Sequence, residues 1–336
     1  MTRARPLVQS GPRPPEALPL AGGALWFAQA ELLHRDAPSR IVPARDLPDD
    51  LLDRLTSPRT DIAGLPMDRP QIMGILNVTP DSFSDGGRHE GEAALARARQ
   101  MVADGAAILD IGGESTRPGA ATVPEKAEIA RVLPVIEAVR GAGLKTPISI
   151  DTRKAEIARR ALDAGADLFN DVSALSYDVA SLDVAVASGA PVCLMHAQGD
   201  PRTMQDAPRY DDVLLDVYDW LADRIANCEA AGLPRSRIVV DPGIGFGKTL
   251  AHNLALLRGL SLFHGLGCPI LLGASRKRFI GTIGGADAAD ARDPGSHAVM
   301  LDAARQGAQI LRVHDTAGAA QSLALWRALT LEQESP

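Results

Sequence analysis

The most constraining feature of this chain is a repeat that begins near Pro70. Short apolar runs alternate there with longer segments of helical periodicity, and each run has the length of a fully buried strand. Such alternation is typical of a parallel α/β fold, in which helices cross over between neighbouring strands. The sequence therefore predicts eight buried strands, at residues 72–76, 107–111, 147–151, 167–171, 191–196, 237–241, 269–273 and 309–313.

The spacing of these strands favours a closed barrel. Residues 126–140 and 212–229 place their apolar side chains on one helical face, as helices that cover a sheet do. Eight such units over about 260 residues match a (β/α)₈ TIM-type barrel, whereas an open doubly wound sheet usually has fewer strands. Glycines placed to end helices precede four of the strands; they are Gly105, Gly165, Gly189 and Gly307.

The chain divides unevenly around this barrel. We predict an N-terminal appendage of unknown role over residues 1–68, the barrel over 69–330 and a short C-terminal tail over 331–336. Proline and arginine are frequent in the appendage, and only residues 24–33 and 47–55 have the pattern of a strand and a helix, respectively.

Composition excludes several classes of protein. Hydrophobic residues make up 46% and charged residues 23% of the 336 positions, as in globular proteins generally. The net charge of −7 and the lack of a basic, aromatic-rich groove argue against nucleic acid as a partner. No apolar run approaches the roughly 18 residues of a membrane span, and prolines interrupt the apolar N-terminal stretch that a secretion signal would need. The three cysteines lack metal or disulfide spacing, which favours a reducing, cytoplasmic location.

Polar side chains follow the predicted strands at their carboxyl ends, where barrels of this kind place their active sites. Asp151, Asn170, Asp241 and Lys277 end or follow the third, fourth, sixth and seventh strands and should converge. Carboxylates, an amide and an ammonium together suit a flat heterocycle that offers ring N–H, amino and carbonyl groups. A buried ion-pair network without a ligand is the alternative reading of the same residues.

The last strand predicts an anion site. Arg312 and His314 are two residues apart and hence on one face of the strand. Together they could hold two oxygens of a phosphate group while charge builds on a leaving group. Asn77 ends the first strand, and with Asp85 in the following loop it could meet a Mg²⁺ ion shared with that phosphate. Alternatively, His314 simply caps the strand end. Residues 243–249 fail the phosphate-loop spacing by one residue, because Pro242 stands where the first glycine belongs.

Five segments together resemble the dihydropteroate synthase family, namely residues 73–87, 112–119, 194–196, 241–248 and 275–277. The likeness runs from residue 71 to about residue 329, with the motifs in order and at the ends of the predicted strands. It implies a transferase of folate biosynthesis that joins p-aminobenzoate to 6-hydroxymethyl-7,8-dihydropterin diphosphate and releases pyrophosphate with Mg²⁺ present. It also implies a homodimer and a sulfonamide target.

The resemblance also implies roles for individual residues. The catalytic groups would be Asp151, Lys277, Arg312 and His314. The pterin would be bound by Asp151, Asn170, Asp241, Lys277 and Arg312. The diphosphate would be held by Asn77, Thr116, Arg312 and His314, with Mg²⁺ at Asn77. The p-aminobenzoate pocket and its two closing loops, 79–87 and 115–119, would use Phe83, Asp85, Thr116, Arg117, Pro118 and Lys277.

Two positions depart from the family pattern, and three other functions are weighed beside the leading one. Arg278 stands where a number of members have serine, and Ile244 replaces a phenylalanine found in some. A pterin-dependent methyltransferase would share the barrel but would not need the diphosphate residues. A non-catalytic pterin-binding protein would be expected to have lost loop or anion residues, and an aldolase would need Lys277 at a depressed pKa to form a Schiff base.

Overall fold

The structure is a computed structural model that describes residues 3–78, 88–115, 120, 122–199 and 203–331, apart from the side chains of residues 88–90. The N-terminal appendage forms a small antiparallel sheet, a two-stranded ribbon and one helix. The sheet has the order β1–β4–β5 and the ribbon pairs β2 with β3. Their bounds are β1 (Arg3–Pro6), β2 (Leu18–Pro19), β3 (Trp26–Phe27), β4 (Gln29–Leu33), β5 (Arg40–Pro43) and α1 (Asp49–Thr56).

The appendage packs against the outside of the barrel through a short 3₁₀ helix, Leu260–Leu266, all of which is buried. Arg3 in β1 donates two hydrogen bonds of 2.7 and 2.6 Å to Asp219, and Ser261 Oγ donates to the carbonyl oxygen of Pro6 at 3.0 Å. The segment predicted as one strand, residues 24–33, forms both β3 and β4, and β1, β2 and β5 were not anticipated. The pairing of β1 with β4 joins residues as far apart as Arg3 and Leu33, which local periodicity does not report.

All eight predicted barrel strands are present, parallel and in the expected order around the barrel. They are β6 (Gln71–Asn77), β7 (Ile108–Gly112), β8 (Ile148–Asp151), β9 (Leu168–Asp171), β10 (Val192–Met195), β11 (Ile238–Asp241), β12 (Leu271–Leu272) and β13 (Ile310–Val313). Their order is β11–β10–β9–β8–β7–β6–β13–β12. A parallel bridge from Val240 to Ile270 joins the two ends of this sheet, so the predicted (β/α)₈ barrel is confirmed.

Nine helices lie between or after the barrel strands in the described residues. They are α2 (Arg88–Ala103), α3 (Glu125–Gly141), α4 (Ala155–Asp163), α5 (Ser181–Ser188), α6 (Val213–Ala230), α7 (Leu250–Arg258), α8 (Arg278–Gly284), α9 (Asp293–Arg305) and α10 (Thr316–Thr330). The two helices predicted from periodicity are α3 and α6. Asp212 begins α6 by accepting from the N–H groups of Leu214 and Leu215. The four glycines predicted to end helices all have positive φ, between 63° and 107°.

The amino-terminal end of the barrel is closed by side chains, so only the opposite end can admit a ligand. Seven of the eight strands contribute a fully buried apolar residue to one cluster in the barrel interior. Ile62 and Met67, from the segment between α1 and β6, are buried in that same cluster. The last part of the appendage thus seals the bottom of the barrel.

No helix in the part of the chain that the structure describes is long and apolar enough to cross a bilayer.

Candidate active site

The structure brings Asp151, Asn170, Asp241 and Arg312 to the carboxyl end of the barrel, as predicted. They come from β8, β9, β11 and β13, and the first three are 5–7% exposed. Strands buried on both faces hold these side chains, because the strand backbones are fixed by their neighbours on either side. The polar groups therefore form the floor of a pocket whose geometry is set by the barrel itself.

Arg312 is the centre of this floor, and its closest partner, Asp110, was not predicted. Asp110 lies in the middle of β7, is fully buried and accepts from Arg312 Nε at 2.6 Å. Arg312 NH2 donates to Asp151 Oδ2, also at 2.6 Å. The amide of Asn170 donates to the other oxygen of Asp110 at 3.2 Å. One hydrogen-bonded network thus joins four strands. It has the form of the buried ion-pair alternative, yet it lies at the mouth where a ligand would bind.

The buried carboxylates affect one another's ionisation. Burial raises the pKa of Asp151 to about 7, and the attraction of Arg312 opposes that rise while the negative charge of Asp110 adds to it. Burial also raises the pKa of Asp241 above its usual range, with Lys277 as the main opposing influence. One oxygen of Asp151, Oδ1, has no hydrogen-bond partner among the described residues. A buried acceptor of this kind is costly to leave unpaired, so it favours a ligand donor at that point.

Lys277 directly precedes α8, close enough to Asp241 and Arg312 for their charges to act on it. Its ammonium donates to the carbonyl oxygen of Ile244 and stands 4.4 Å from the centre of the Phe246 ring. Burial lowers the pKa of Lys277 to about 7, although nearby Asp241 acts to raise it. Of the two residues that depart from the family pattern, Arg278 is exposed beside Lys277, and Ile244 is fully buried in the main core.

The glycine-rich loop after β11 is held in place by close backbone contacts. Asp241 Oδ1 accepts from the N–H of Gly243 at 2.7 Å, so Asp241 also starts the turn, as its Asp-Pro sequence allows. Gly243 has a φ of +69°, and a Cβ atom there would come within 1.8 Å of the carbonyl oxygen of His196. Only glycine fits such a position. The loop is a rigid wall beside the pocket rather than a phosphate-binding loop.

The predicted anion residues lie at the first and last strands. His314 Nδ1 is 3.0 Å from Ser275 Oγ, so β13 and the loop after β12 are tied together at the rim of the mouth. Asn77 ends β6 and is half-buried, and its side-chain amide makes no hydrogen bond to the described residues. An amide oxygen at this edge fits a Mg²⁺ ion that takes most of its ligands from water and substrate phosphates. Within the described ranges no group of three or more acidic, histidine or cysteine ligands forms a metal site of its own.

Five of the predicted site residues lie outside the described residues. They are Phe83, Asp85, Thr116, Arg117 and Pro118. The described residues therefore include all those predicted to bind the pterin and, Thr116 excepted, those predicted to hold the diphosphate.

Three comparisons with known proteins show the family to which the chain belongs. The family model of pterin-binding enzymes matches residues 73–314. The dihydropteroate synthase of Escherichia coli (strain K12) is 48% identical over 252 residues, which is 75% of this chain and 88% of that protein. That of Neisseria meningitidis serogroup C is 49% identical over 267 residues, 78% of this chain and 94% of the relative.

Solved structures give the same result. Xanthomonas albilineans dihydropteroate synthase with 4-aminobenzoic acid is 48% identical, with a TM-score of 0.76 over 84% of this chain and all of that one. The complex of the Xanthomonas enzyme with 7,8-dihydropteroate has a TM-score of 0.73 at 45% identity, over 83% of this chain and 100% of that one. The Yersinia pestis enzyme in a sulfonamide drug complex has a TM-score of 0.74 at 46% identity, over 79% and 95% of the two chains. The chain therefore belongs to the dihydropteroate synthases, the pterin-binding transferases of folate biosynthesis.

Proposed function

We propose that the carboxyl end of the barrel joins 6-hydroxymethyl-7,8-dihydropterin diphosphate to p-aminobenzoate, giving 7,8-dihydropteroate and pyrophosphate. The observation that carries this proposal is the buried network of Asp110, Asp151, Asn170 and Arg312 at the mouth. The acceptor oxygens of this network suit the ring N–H and amino groups of a pterin. Asp241, at the end of β11, adds a further acceptor to the pocket.

Asp151 would act mainly in the transition state. As the diphosphate departs, positive charge spreads over the pterin and its exocyclic methylene, and a buried carboxylate stabilises that charge more strongly than it stabilises the neutral substrate. The unpaired Oδ1 of Asp151 gives this interaction a free acceptor in the described structure. The arylamine is unprotonated near neutral pH, so its attack on the methylene carbon needs no strong general base.

The departing anion would be held at the opposite side of the mouth. Arg312 lies on the last strand and His314 directly follows it, and Asn77 ends the neighbouring first strand, so their donors and the amide oxygen can surround a diphosphate. We propose that Mg²⁺ binds with the substrate at Asn77, where it would neutralise part of the diphosphate charge. Lys277 and Phe246 would border the p-aminobenzoate on the far side of the pterin. Phe83, Asp85, Thr116, Arg117 and Pro118 complete that pocket in the family resemblance.

The direct test is turnover. Purified protein given both substrates and Mg²⁺ should release pyrophosphate and form dihydropteroate in equal amounts. The same mixture without p-aminobenzoate is the control, because it measures simple hydrolysis of the diphosphate. Failure to form dihydropteroate with well-folded protein would refute the proposal.

Three further proposals concern the location, the assembly and the inhibition of the enzyme. All three cysteines are unpaired and buried, which suits the reducing cytoplasm.

On α10, Leu325 and Leu329 are 61% and 84% exposed one turn apart, and we propose that a second copy of the chain covers them in a homodimer. Light scattering of wild type and Leu329→Glu would test this, with the variant expected to be monomeric. The Yersinia pestis complex also makes sulfonamides expected competitors of p-aminobenzoate here.

Of the other functions weighed, only the aldolase gains an observation from the structure. The pKa of Lys277 is lowered to about 7 by burial, as a Schiff-base lysine requires. Membership of the dihydropteroate synthases, at 48% identity to the Escherichia coli enzyme over three quarters of the chain, outweighs that single feature. Borohydride treatment with a carbonyl substrate should accordingly leave Lys277 unmodified. The methyltransferase and the non-catalytic protein have no observation in their favour.

A further inference from the structure

One residue of the motif at 275–277 has no part in the mechanism proposed above. Arg276 lies between Ser275, whose hydroxyl contacts His314, and Lys277, which lies near the charges of Asp241 and Arg312. Both its side chain and its backbone are bonded to the start of α9. The residue that separates two parts of the site is thus fixed by a helix outside it.

The backbone of Arg276 is in the left-handed region, with a φ of +59°. Arg276 stands at the third position of a four-residue turn, which a hydrogen bond of 3.3 Å from the N–H of Lys277 to the carbonyl oxygen of Ala274 closes. A turn with positive φ at this position usually has glycine there, because a Cβ atom is disfavoured. Of the five non-glycine residues with positive φ in the described part of the chain, only Arg276 directly precedes a predicted site residue.

The start of α9 holds this conformation through three residues. Arg276 Nε and NH2 each donate to one carboxylate oxygen of Asp293 at 2.7 Å. The N–H of Arg276 donates to Ser296 Oγ at 2.9 Å, and its carbonyl oxygen accepts from Arg292 NH1 at 3.1 Å. Ser296 Oγ in turn donates to the carbonyl oxygen of Arg292 at 2.7 Å. The paired bonds to Asp293 fix the orientation of the guanidinium as well as its place.

The same turn is bonded to the mouth of the barrel on either side of Arg276. Ser275 Oγ accepts from the N–H of His314 at 3.2 Å. The ammonium of Lys277 donates to the carbonyl oxygen of Ile244, and its positive charge opposes the rise in the pKa of Asp241. A change in the φ of Arg276 would rotate the chain between these two contacts. It would therefore move Lys277 relative to Asp241.

The left-handed conformation itself argues for a use. It is less stable than the ordinary conformations for any residue with a Cβ atom, and it persists only where the surroundings over-determine it. The bonds to Asp293, Ser296 and Arg292 meet that condition. An ion pair that only attached α9 to the barrel could form equally well from a residue with negative φ. What this conformation adds is the direction in which the chain enters α8 at Lys277.

We propose that Arg276 is a positioning residue for the pterin substrate: its bonds to α9 hold the turn in the left-handed conformation that keeps Lys277 beside Asp241. This rests on the proposed function, in which Lys277 and Asp241 bind the pterin. Arg276 acts on the substrate through Lys277 and does not touch it.

The first experiment compares Arg276→Ala with Arg276→Gly, which remove the same bonds to Asp293. At saturating p-aminobenzoate, kcat/KM for the pterin diphosphate should fall at least about tenfold in Arg276→Ala, because small displacements of groups that position a substrate can cost two orders of magnitude. Arg276→Gly should be at least about threefold more active than Arg276→Ala, because glycine adopts positive φ without the steric penalty that alanine has.

Arg235→Ala is the matched control. Arg235 also donates two hydrogen bonds to one carboxylate, that of Glu229, at 3.0 and 2.8 Å. It lies in a 3₁₀ turn that directly precedes β11, at the end of the barrel opposite the mouth. This variant should keep kcat/KM within about twofold of wild type, since a substitution away from the site has no route to the substrate. The melting temperature of every variant is measured on the same samples.

The second experiment tests whether the effect passes through Lys277. Calorimetry measures the Kd of the pterin diphosphate with Mg²⁺, without p-aminobenzoate, in a double-mutant cycle of Arg276→Ala and Lys277→Ala. Arg276→Ala alone should raise this Kd at least about fivefold, because the ammonium is displaced. In the Lys277→Ala protein the same replacement should change the Kd by less than about twofold, because no ammonium is left to position.

The outcomes separate positioning from support of the fold. Equal activities of Arg276→Ala and Arg276→Gly, or an equal further loss of affinity in the Lys277→Ala protein, would show that Arg276 only stabilises the structure. A folded Arg276→Ala enzyme with wild-type kcat/KM would also overturn the inference. Should Arg276→Ala not fold, Asp293→Asn removes only the charge that holds the guanidinium and should lower kcat/KM by a smaller factor; an unchanged value would count against the inference. Failure of wild type to form dihydropteroate would instead reject the proposed function, because no variant is involved in that measurement.

Discussion

Asp110 offers the sharpest test of the active site, because it would act on the substrate only through two pterin-binding residues, Arg312 and Asn170. In Asp110→Asn the shape is kept, but one of the two carboxylate oxygens becomes an N–H₂ group. The oxygens now accept from Arg312 Nε at 2.6 Å and from the Asn170 amide at 3.2 Å. The variant can satisfy only one of these donors and turns a donor toward the other.

The size of the effect follows from that mismatch. Leaving one buried donor unsatisfied costs about 1–3 kcal/mol, and the lost partner here is charged, which places the cost near the upper end. Since about 1.4 kcal/mol corresponds to a factor of ten, a misplaced Arg312 should lower kcat/KM for the pterin diphosphate by about 10- to 100-fold. Asp151 keeps Arg312 inside the barrel at 2.6 Å, so the protein should still fold.

The assay is steady-state release of pyrophosphate, with the melting temperature measured on the same samples. Asp163→Asn is the control, because Asp163 forms only an exposed ion pair on α4, with 67% of its side chain accessible. The control should retain wild-type kcat/KM. A folded Asp110→Asn enzyme within about twofold of wild type would show that Asp110 does not orient Arg312, and the network described above would then have no catalytic role.

The remaining predictions address the other parts of the site. Arg312→Ala should weaken binding of pyrophosphate and of pterin together, as calorimetry can measure, and unchanged pyrophosphate affinity would remove Arg312 from the anion site. In the proposed mechanism Asp151 acts in its ionised form, and its pKa is about 7, so kcat/KM should fall as the pH drops below about 7. Asp151→Asn should lose this decrease of kcat/KM at acid pH. The same variant should lower kcat by far more than it weakens pterin binding. Gly243→Ala should fold poorly or lose several degrees of melting temperature, since its Cβ would lie 1.8 Å from the carbonyl oxygen of His196, and a melting temperature equal to that of wild type would contradict the backbone argument. Removal of divalent cations with EDTA should abolish turnover and Mg²⁺ should restore it, whereas activity that persists in EDTA would rule out the ion predicted at Asn77.

The barrel was predictable because its signals are local. Each strand is a short apolar run bounded by polar residues, and each strand end in a parallel barrel lies on the same side of the sheet. Hence the sequence alone predicts that Asp151, Asn170 and Asp241 converge. The strand order follows from the same regularity, since consecutive βα units add neighbouring strands with one handedness.

Asp110 escaped prediction because it lies inside a strand rather than at its end. The run Ile108–Gly112 is otherwise apolar, and each residue in it is buried. A lone carboxylate in such a run was itself a signal, since an ionised carboxylate is seldom buried without a partner. The partner, Arg312, is 202 positions away, and no local pattern connects the two.

Glu128 escaped prediction for a different reason. It lies in an amphipathic helix, where most glutamates face water, yet it is completely buried. Its place four residues before Val132 puts it on the apolar face of α3. The appendage was the least predictable part, because β1 pairs with β4 across the β2–β3 ribbon, with Arg3 opposite Leu33, and local periodicity does not report such pairing.

The charges at the mouth explain how one arginine could serve both the pterin ring and the diphosphate of the same substrate. Arg312 uses its Nε and NH2 groups on Asp110 and Asp151, while NH1 makes no hydrogen bond to the described residues. With Asp151 ionised, these three side chains carry a net charge of −1, the sum of one positive and two negative groups. Arg312 is thus held in a fixed orientation before substrate arrives, which lowers the cost of positioning its remaining donor.

That net negative charge has opposite effects on the two halves of the reaction. It does not by itself attract a diphosphate, so the anion would depend on His314 and on the Mg²⁺ proposed at Asn77 for its remaining neutralisation. It does favour the pterin cation that forms when the diphosphate leaves. A site built only to bind an anion would have no reason to bury Asp110 and Asp151 against its arginine, whereas a site that must stabilise a cation beside a departing anion needs both signs of charge within a few ångströms.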